Sequence, residues 1–295
     1  MRRAALILCL ALAGCARAPA PSGPDPLLYD PSDLAQSDRL VIFVPGALTS
    51  VIMFAPAQGW QAGDWAAAYY RFPGLDEMPP GPLDIEGAAD HIAAFANAQA
   101  DKDIALVGYS SGAPIAILAA SRITGRRVVP VAAIAPAVER GGGLSTLARG
   151  AADIVRSAAR AQSLDPLQVW IEYWQILLLG RDAQPIPKFR SRVIETARTH
   201  RGERELGPPE TRLARSHARR LQSWELPEDL DLSHVRLRIY AGLEDPVFST
   251  AQTLHFARKL GQTRIYGYPG EGHLLYLTQK DVFETARRFA EDQLN

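Results

Sequence analysis

The sequence predicts an α/β fold in which a mainly parallel sheet carries helices on both faces and is interrupted late by a helical insertion. Between Arg39 and Ala135 strand-like and helix-like stretches alternate, a pattern that means parallel strands joined by crossover helices. From Pro136 the strand signals stop for nearly a hundred residues, helical periodicity takes over, and strands resume at Val235.

In chain order, the first parallel strand is the apolar run Leu40-Val41-Ile42-Phe43-Val44, followed by a short strand through Ala68 to Arg71 and a helix over Ile85 to Gln99. Ile104-Ala105-Leu106-Val107 is the next strand, Ala113 to Ile123 its helix, and Val128 to Ile134 a further strand. The insertion opens on the hinge-like Gly141-Gly142-Gly143 and continues with helical stretches near 144–161, 165–179, 187–202 and 210–223. Strand-like runs return at Val235 to Tyr240 and at Arg264 to Tyr268.

The chemistry is concentrated in one pentapeptide. Gly108-Tyr109-Ser110-Ser111-Gly112 lies between a strand and a helix, the context in which Gly-x-Ser-x-Gly projects a serine hydroxyl clear of a sheet. The two glycines have a steric role, because the chain on either side of so sharp a turn passes too closely for Cβ atoms. Ser110 is therefore the candidate nucleophile. The pentapeptide alone arises often by chance, and the downstream order carries more weight. After the strand at 235–240 comes Ala241-Gly242-Leu243-Glu244-Asp245-Pro246, and after the strand at 264–268 comes Pro269-Gly270-Glu271-Gly272-His273. A serine hydrolase on an α/β sheet presents its nucleophile, acid and histidine in that chain order. Asp245 is the candidate acid, with Glu244 its rival and a plain Asp-Pro turn the bland alternative. Of six histidines, His273 alone follows a glycine just after a strand; His91 and His255 read as helix members, and His200, His217 and His234 lie in polar sequence.

On these motifs the chain resembles the α/β-hydrolase superfamily of serine hydrolases, esterases and lipases among them, from about Arg39 to the C-terminus. The resemblance implies an α/β-hydrolase fold whose insertion forms a helical cap over the site. About a dozen ordered residues precede Arg39, too few for the antiparallel pair that usually opens this fold, so about six core parallel strands with a trimmed N-terminal edge are expected. An oxyanion hole in such enzymes needs two backbone N–H groups. One is assigned to Ser111, and the other to Ala47 with Leu48 as the neighbouring alternative, in the loop Pro45-Gly46-Ala47-Leu48-Thr49-Ser50. The family usually begins this loop with His-Gly; here Pro45-Gly46 stands instead, and the backbone donor is kept. Arg71-Phe72-Pro73-Gly74 occupies the place from which relatives bring a loop over the site.

Within the cap, the stretch containing Val169, Trp170, Ile171, Tyr173, Trp174 and Ile176 to Leu179 is apolar nearly all round and is expected to be buried on more than one side. It reads as packing between cap and body, or as the wall of an acyl pocket or a lid touching lipid. Between Arg190 and Arg220 the arginines are interspersed with Glu195, Glu203, Glu205 and Glu210. Mixed signs at helical spacing read as a solvated face, with a surface for anionic head groups the sharper alternative.

The N-terminus is read separately. Met1-Arg2-Arg3 is basic, Ala4 to Ala13 is apolar but short, and Leu12-Ala13-Gly14-Cys15 resembles a bacterial lipobox. Residues 1–14 are then a lipoprotein signal and Cys15 the lipidated, palmitate-bearing N-terminus; a plain secretory signal is the alternative. Residues 15–38 form a tether and lead-in, 39–136 and 235–295 the core, and 137–234 the cap. The expected location is the cell envelope, at the outer membrane facing the periplasm in a Gram-negative host. Cys9 leaves with the signal and Cys15 is acylated, so no disulfide is expected.

With 32 basic and 32 acidic residues among 295, no charge excess points to nucleic acid. Removing Arg2 and Arg3 takes the basic count to 30 and the formal charge near −2. Neither a zinc-type cluster nor a phosphate-cradling loop is present, so no cofactor and no metal is inferred. The expectation is hydrolysis of a small-molecule carboxylic ester, acyl or lipid-like, through an acyl-enzyme on Ser110. A thioesterase, an amidase, an acyltransferase or a non-catalytic ligand-binding lipoprotein are the alternatives.

Overall fold

The computed structural model describes residues 23–138, 143–182, 211–279 and 281–294. The helix expected near 187–202, the Arg-rich run before Thr211, His200 and Cys15 lie outside them. Seven strands form one sheet: β1 (Leu27–Tyr29), β2 (Arg39–Val44), β3 (Trp65–Tyr70), β4 (Asp103–Tyr109), β5 (Val129–Ile134), β6 (Val235–Gly242) and β7 (Tyr266–Tyr268), in the order β1-β3-β2-β4-β5-β6-β7. Strands β2 to β7 are parallel, and β1 pairs antiparallel with β3.

The six parallel strands match the expected number, but the N-terminal edge is not bare. Leu27 to Tyr29 adds a seventh, antiparallel strand inside the segment read as tether. Three residues suffice because β3 already presents an ordered edge, and the buried Leu27 pays for the ordering. The helix α1 (Pro31–Gln36) follows at once, with Pro31 in its first turn and the Asp30 carboxylate accepting from Ser32 N–H at 2.7 Å.

Both sheet faces are covered. Leu40, Ile42 and Val44 of β2 face one cluster with α2 (Ile85–Ala98) and α3 (Gly112–Arg122). Val41 and Phe43, pointing the other way, meet Phe54, Trp60, Trp65 and the C-terminal helix α9 (Val282–Leu294). This is the period of two expected of a strand buried on both sides. Helix α9 was not expected from the sequence, although Val282, Phe283, Ala286, Phe289 and Ala290 form one buried stripe at helical spacing. Its neighbour is the 3-10 segment Val51–Ala57 and the turn after it, where Trp60 Nε1 donates to the Phe283 carbonyl at 3.0 Å.

Between β5 and β6 the described residues hold α4 (Gly143–Ala161), α5 (Pro166–Leu179) and α6 (Thr211–Ser223), and α7 (Thr250–Lys259) and the short α8 (Leu275–Thr278) complete the element order. Helix α5 is enclosed as expected: Ile171, Trp174, Ile176 and Leu178 are buried, and so are Glu172 and Gln175 on its other sides. On α6 the arginines at 212, 215, 219 and 220 are exposed, a solvated face. His217, in polar sequence, takes a core position. It is fully buried beside Phe72, ring centroids 6.0 Å apart, because Arg212, Arg215 and Arg219 project from other sides of the helix.

Candidate active site

Ser110 stands one residue beyond β4 with φ +49°, the left-handed region that L side chains rarely adopt. The strain is held from both sides. Ser110 N–H donates to Ile134 O at 2.9 Å, and Ser110 O accepts from Ala113 and Ala137 N–H at 3.1 and 2.9 Å. A Cβ on Gly108 would lie 2.4 Å from Gly112 O, and one on Gly112 would lie 2.1 Å from Val44 O. Both glycines of the elbow are therefore sterically required.

His273 follows β7 and reaches back over β4. Its Nε2 lies 3.1 Å from Ser110 Oγ and its Nδ1 lies 2.7 Å from Asp245 Oδ2. A carboxylate only accepts, so Nδ1 carries the proton and Nε2 is left to accept from the Ser110 hydroxyl. The other oxygen of Asp245 accepts from Val247 and Phe248 N–H at 2.7 and 3.0 Å. Those two backbone bonds aim the carboxylate at the imidazole, and Asp245 and His273 are both buried. The rival acid Glu244 points outward and is exposed.

The donor loop lies against the nucleophile. A Cβ on Gly46 would sit 3.2 Å from Ser110 Cβ. Gly46 to Thr49 is a turn closed by Thr49 N–H to Gly46 O at 3.2 Å, with Leu48 at φ +67°. The Thr49 hydroxyl donates to the same carbonyl at 2.6 Å, so the turn closes without using Ala47 N–H. Ser111 N–H stands at the start of α3, where helix geometry offers no internal acceptor. Asp76 braces this loop, accepting from the Ser50 hydroxyl and from Val51 N–H at 3.1 Å. The Arg71 to Gly74 stretch faces α6: Phe72 packs on His217, and a Cβ on Gly74 would lie 3.2 Å from Leu213.

Several contacts that the sequence did not signal hold the site. Gly272 and His273 donate their N–H groups to Leu178 and Leu177 carbonyls at 2.7 and 2.6 Å, tying the histidine loop to the end of α5. The Tyr109 hydroxyl donates to His273 O. Burial, with Tyr276 next to it, holds that phenol well above its ordinary pKa, so it stays a donor. On the acid side, a Cβ on Gly180 (φ +90°) would lie 2.7 Å from Glu244 Cβ. Arg181 grips Asp153 through Nε and Nη2 at 2.7 and 2.8 Å and donates to Pro246 O. The inserted helices therefore contact both loops, the one that carries Asp245 and the one that carries His273. Gly180-Arg181 directly after an apolar helix was the one legible signal of this, being a helix stop followed by a charge.

Among the described residues no group of three His, Cys, Asp or Glu could hold a metal ion, and no helix is long and apolar enough to cross a membrane.

Comparison with protein families matches the alpha/beta hydrolase family over residues 41–286, and the chain belongs to that family. No match is found among curated proteins. Among solved structures the chain is similar to a thermophilic esterase from Thermogutta terrifontis, 19% identical over 88% of this chain and 92% of that one, TM-score 0.62. It is also similar to the putative non-heme bromoperoxidase BpoC from Mycobacterium tuberculosis, 14% identical over 90% and 96%, TM-score 0.69. A third is a membrane phospholipase A described as a bacterial virulence factor, 15% identical over 100% of both chains, TM-score 0.60. At these identities the likeness is one of fold.

Proposed function

We propose that this protein hydrolyses a carboxylic ester through an acyl-enzyme on Ser110. The observation that carries the reading is the continuous chain from Ser110 Oγ through His273 to Asp245, at 3.1 and 2.7 Å, on three loops at the same end of the sheet. The esterase among the similar folds agrees with it.

In this reading His273 Nε2 takes the hydroxyl proton as Ser110 Oγ bonds to the acyl carbon. The negative oxygen of the tetrahedral species is met by Ala47 and Ser111 N–H. Collapse breaks the bond to the leaving alcohol, which receives the proton from His273. Water then gives a proton to the same nitrogen and attacks the acyl carbon, releasing the acid and restoring the Ser110 hydroxyl. Asp245 keeps Nδ1 protonated and stabilises the imidazolium in both halves.

We further propose that Cys15 is acylated and anchors the domain to the cell envelope. Fluorophosphonate labelling of wild type and Ser110→Ala tests the catalytic reading, followed by a panel of esters, thioesters and amides. Labelling that disappears in the mutant is expected, with esters turned over fastest; unlabelled wild type would refute it. The mass of the N-terminal peptide, in wild type and Cys15→Ser, tests the anchor.

A further inference from the structure

The chain enters the sheet at the end that bears the site. Leu27 lies opposite Tyr70 at the C-terminal end of β3, and Arg71 N–H donates to Pro26 O at 2.8 Å. Register across β3, β2 and β4 sets Tyr70 level with Val44 and Gly108, two residues before Ser110. Three strand spacings separate β1 from β4, so the chain comes in roughly 15 Å from the nucleophile strand. Asp25 pins it there, its carboxylate accepting from Leu27 N–H at 2.9 Å and meeting His91 Nε2 at 3.1 Å.

Exposed large apolar side chains stand next to residues of this end: Ile52 two residues from Ser50, Leu243 two before Asp245, Leu277 four after His273, and Ile154 and Val155 beside Asp153, which Arg181 joins to the Pro246 carbonyl. Leu164 is exposed in the turn that joins α4 to α5. Leu28 and Tyr266, also exposed, are on the edge strands. Val155 is 69% and Leu164 89% exposed, both on the cap. The twelve residues that follow Cys15, through Leu27, span at most about 40 Å, less than the roughly 50 Å breadth of a domain this size. A chain that short, attached at the site end, holds that end and not its opposite toward the anchor.

We propose that the site-bearing end is the membrane-facing end, with Ile154, Val155 and Leu164 of the cap seated in the bilayer interface, and that Ser110 takes its ester from the lipid phase. This rests on the reading of Cys15 as the anchor and Ser110 as the nucleophile. Insertion of these side chains would place the cap against the acyl-chain boundary, where an amphiphilic ester reaches the site without crossing bulk water.

The test uses the full chain with its N-terminus as isolated, on vesicles of phosphatidylethanolamine and phosphatidylglycerol. Hydrogen exchange is compared with and without vesicles, which reads orientation whether or not the enzyme turns over. Protection at 150–165, 51–57 and 275–278 is expected, with 99–103, 124–128 and 229–234 at the opposite end unchanged. A triple variant, Ile154→Asp, Val155→Asp and Leu164→Asp, is then assayed on a long-chain ester in the vesicles and on a water-soluble acetate of the same alcohol. Vesicle turnover should fall about tenfold or more while acetate turnover is kept.

Protection at the opposite end, none on bound protein, no binding to vesicles, or unchanged vesicle turnover in the variant would overturn the proposal. Protection of the cap without vesicles that grows with protein concentration would assign the face to a second copy, and would overturn it too. Wild type inactive on both esters would refute the catalytic reading, and an unacylated N-terminal peptide the anchor; in either case hydrogen exchange still decides the orientation.

Discussion

Asp245 and Glu244 are adjacent carboxylates with opposite fates, and only one faces His273. Asp245→Asn should leave the fold intact and lower kcat by about 10⁴-fold, whereas Glu244→Gln should leave it nearly unchanged; steady-state kinetics of the pair separates the two. Arg181 is a positioning residue for the loop that carries Asp245. It binds Asp153 and Pro246 O, and its own pKa is held up chiefly by the Asp153 carboxylate. Arg181→Met should therefore lower kcat by about tenfold with KM little changed, and Arg181→Lys should restore part of the loss. A folded Arg181→Met variant with unchanged kcat would reduce the residue to a structural tie.

His217 gives a pH-dependent stability at the same scale. Burial lowers its pKa from 6.5 to about 4, and neither ring nitrogen has a hydrogen-bond partner among the described residues. The folded state thus refuses a proton that the unfolded chain accepts. Its cost is absent above pH 6.5 and grows as pH falls from 6.5 toward 4. His217→Leu should remove that dependence, so the Tm of wild type should drop further than that of the variant over this window. A Tm difference constant from neutral pH down to 4.5 would contradict the assignment.

At the scale of elements, the elbow and the C-terminal helix are the two packing decisions on which the site depends. Gly112→Ala sets a Cβ 2.1 Å from the Val44 carbonyl, and backbone cannot yield as a flexible side chain would. It should fail to accumulate as soluble protein. Gly125→Ala, at φ +70° but in open space, should cost only about 1 kcal/mol. Phe283 fills the second face beneath Phe54, centroids 5.6 Å apart. Phe283→Ala should cost about 3–5 kcal/mol, read by denaturant unfolding.

Element legibility followed burial. Strands enclosed on both faces, such as Leu40 to Val44, announce themselves as unbroken apolar runs. The three-residue β1 does not, because its strand character comes from the β3 edge it meets and not from its own residues. Helix α9 carries a readable stripe in Val282, Phe283, Ala286, Phe289 and Ala290, interspersed with charged residues that lower its mean hydropathy. The inward aim of His217 was hidden because sequence neighbours on a helix lie on different faces.

At the scale of the whole molecule, the sheet brings residues from three distant segments to one end and leaves the helical insertion beside them. The chain has only two cysteines, Cys9 and Cys15; on the proposal that residues 1–14 are removed and Cys15 is acylated, reductant should leave the Tm unchanged, and a shift on reduction would count against that proposal.

Motif and chain order by themselves determined the α/β class, the family and the three candidate residues Ser110, Asp245 and His273. Those signals are local: a strained turn needs glycine, and strand ends are marked by the turns that follow them. Tertiary structure alone decided which of two adjacent carboxylates faces the imidazole. It alone decided that Leu177, Leu178 and Arg181 of the helical insertion hold the loops bearing His273 and Asp245, and that the chain enters at the site end. Each of these depends on contacts between segments tens to hundreds of residues apart, and such contacts leave no periodicity in the sequence that makes them.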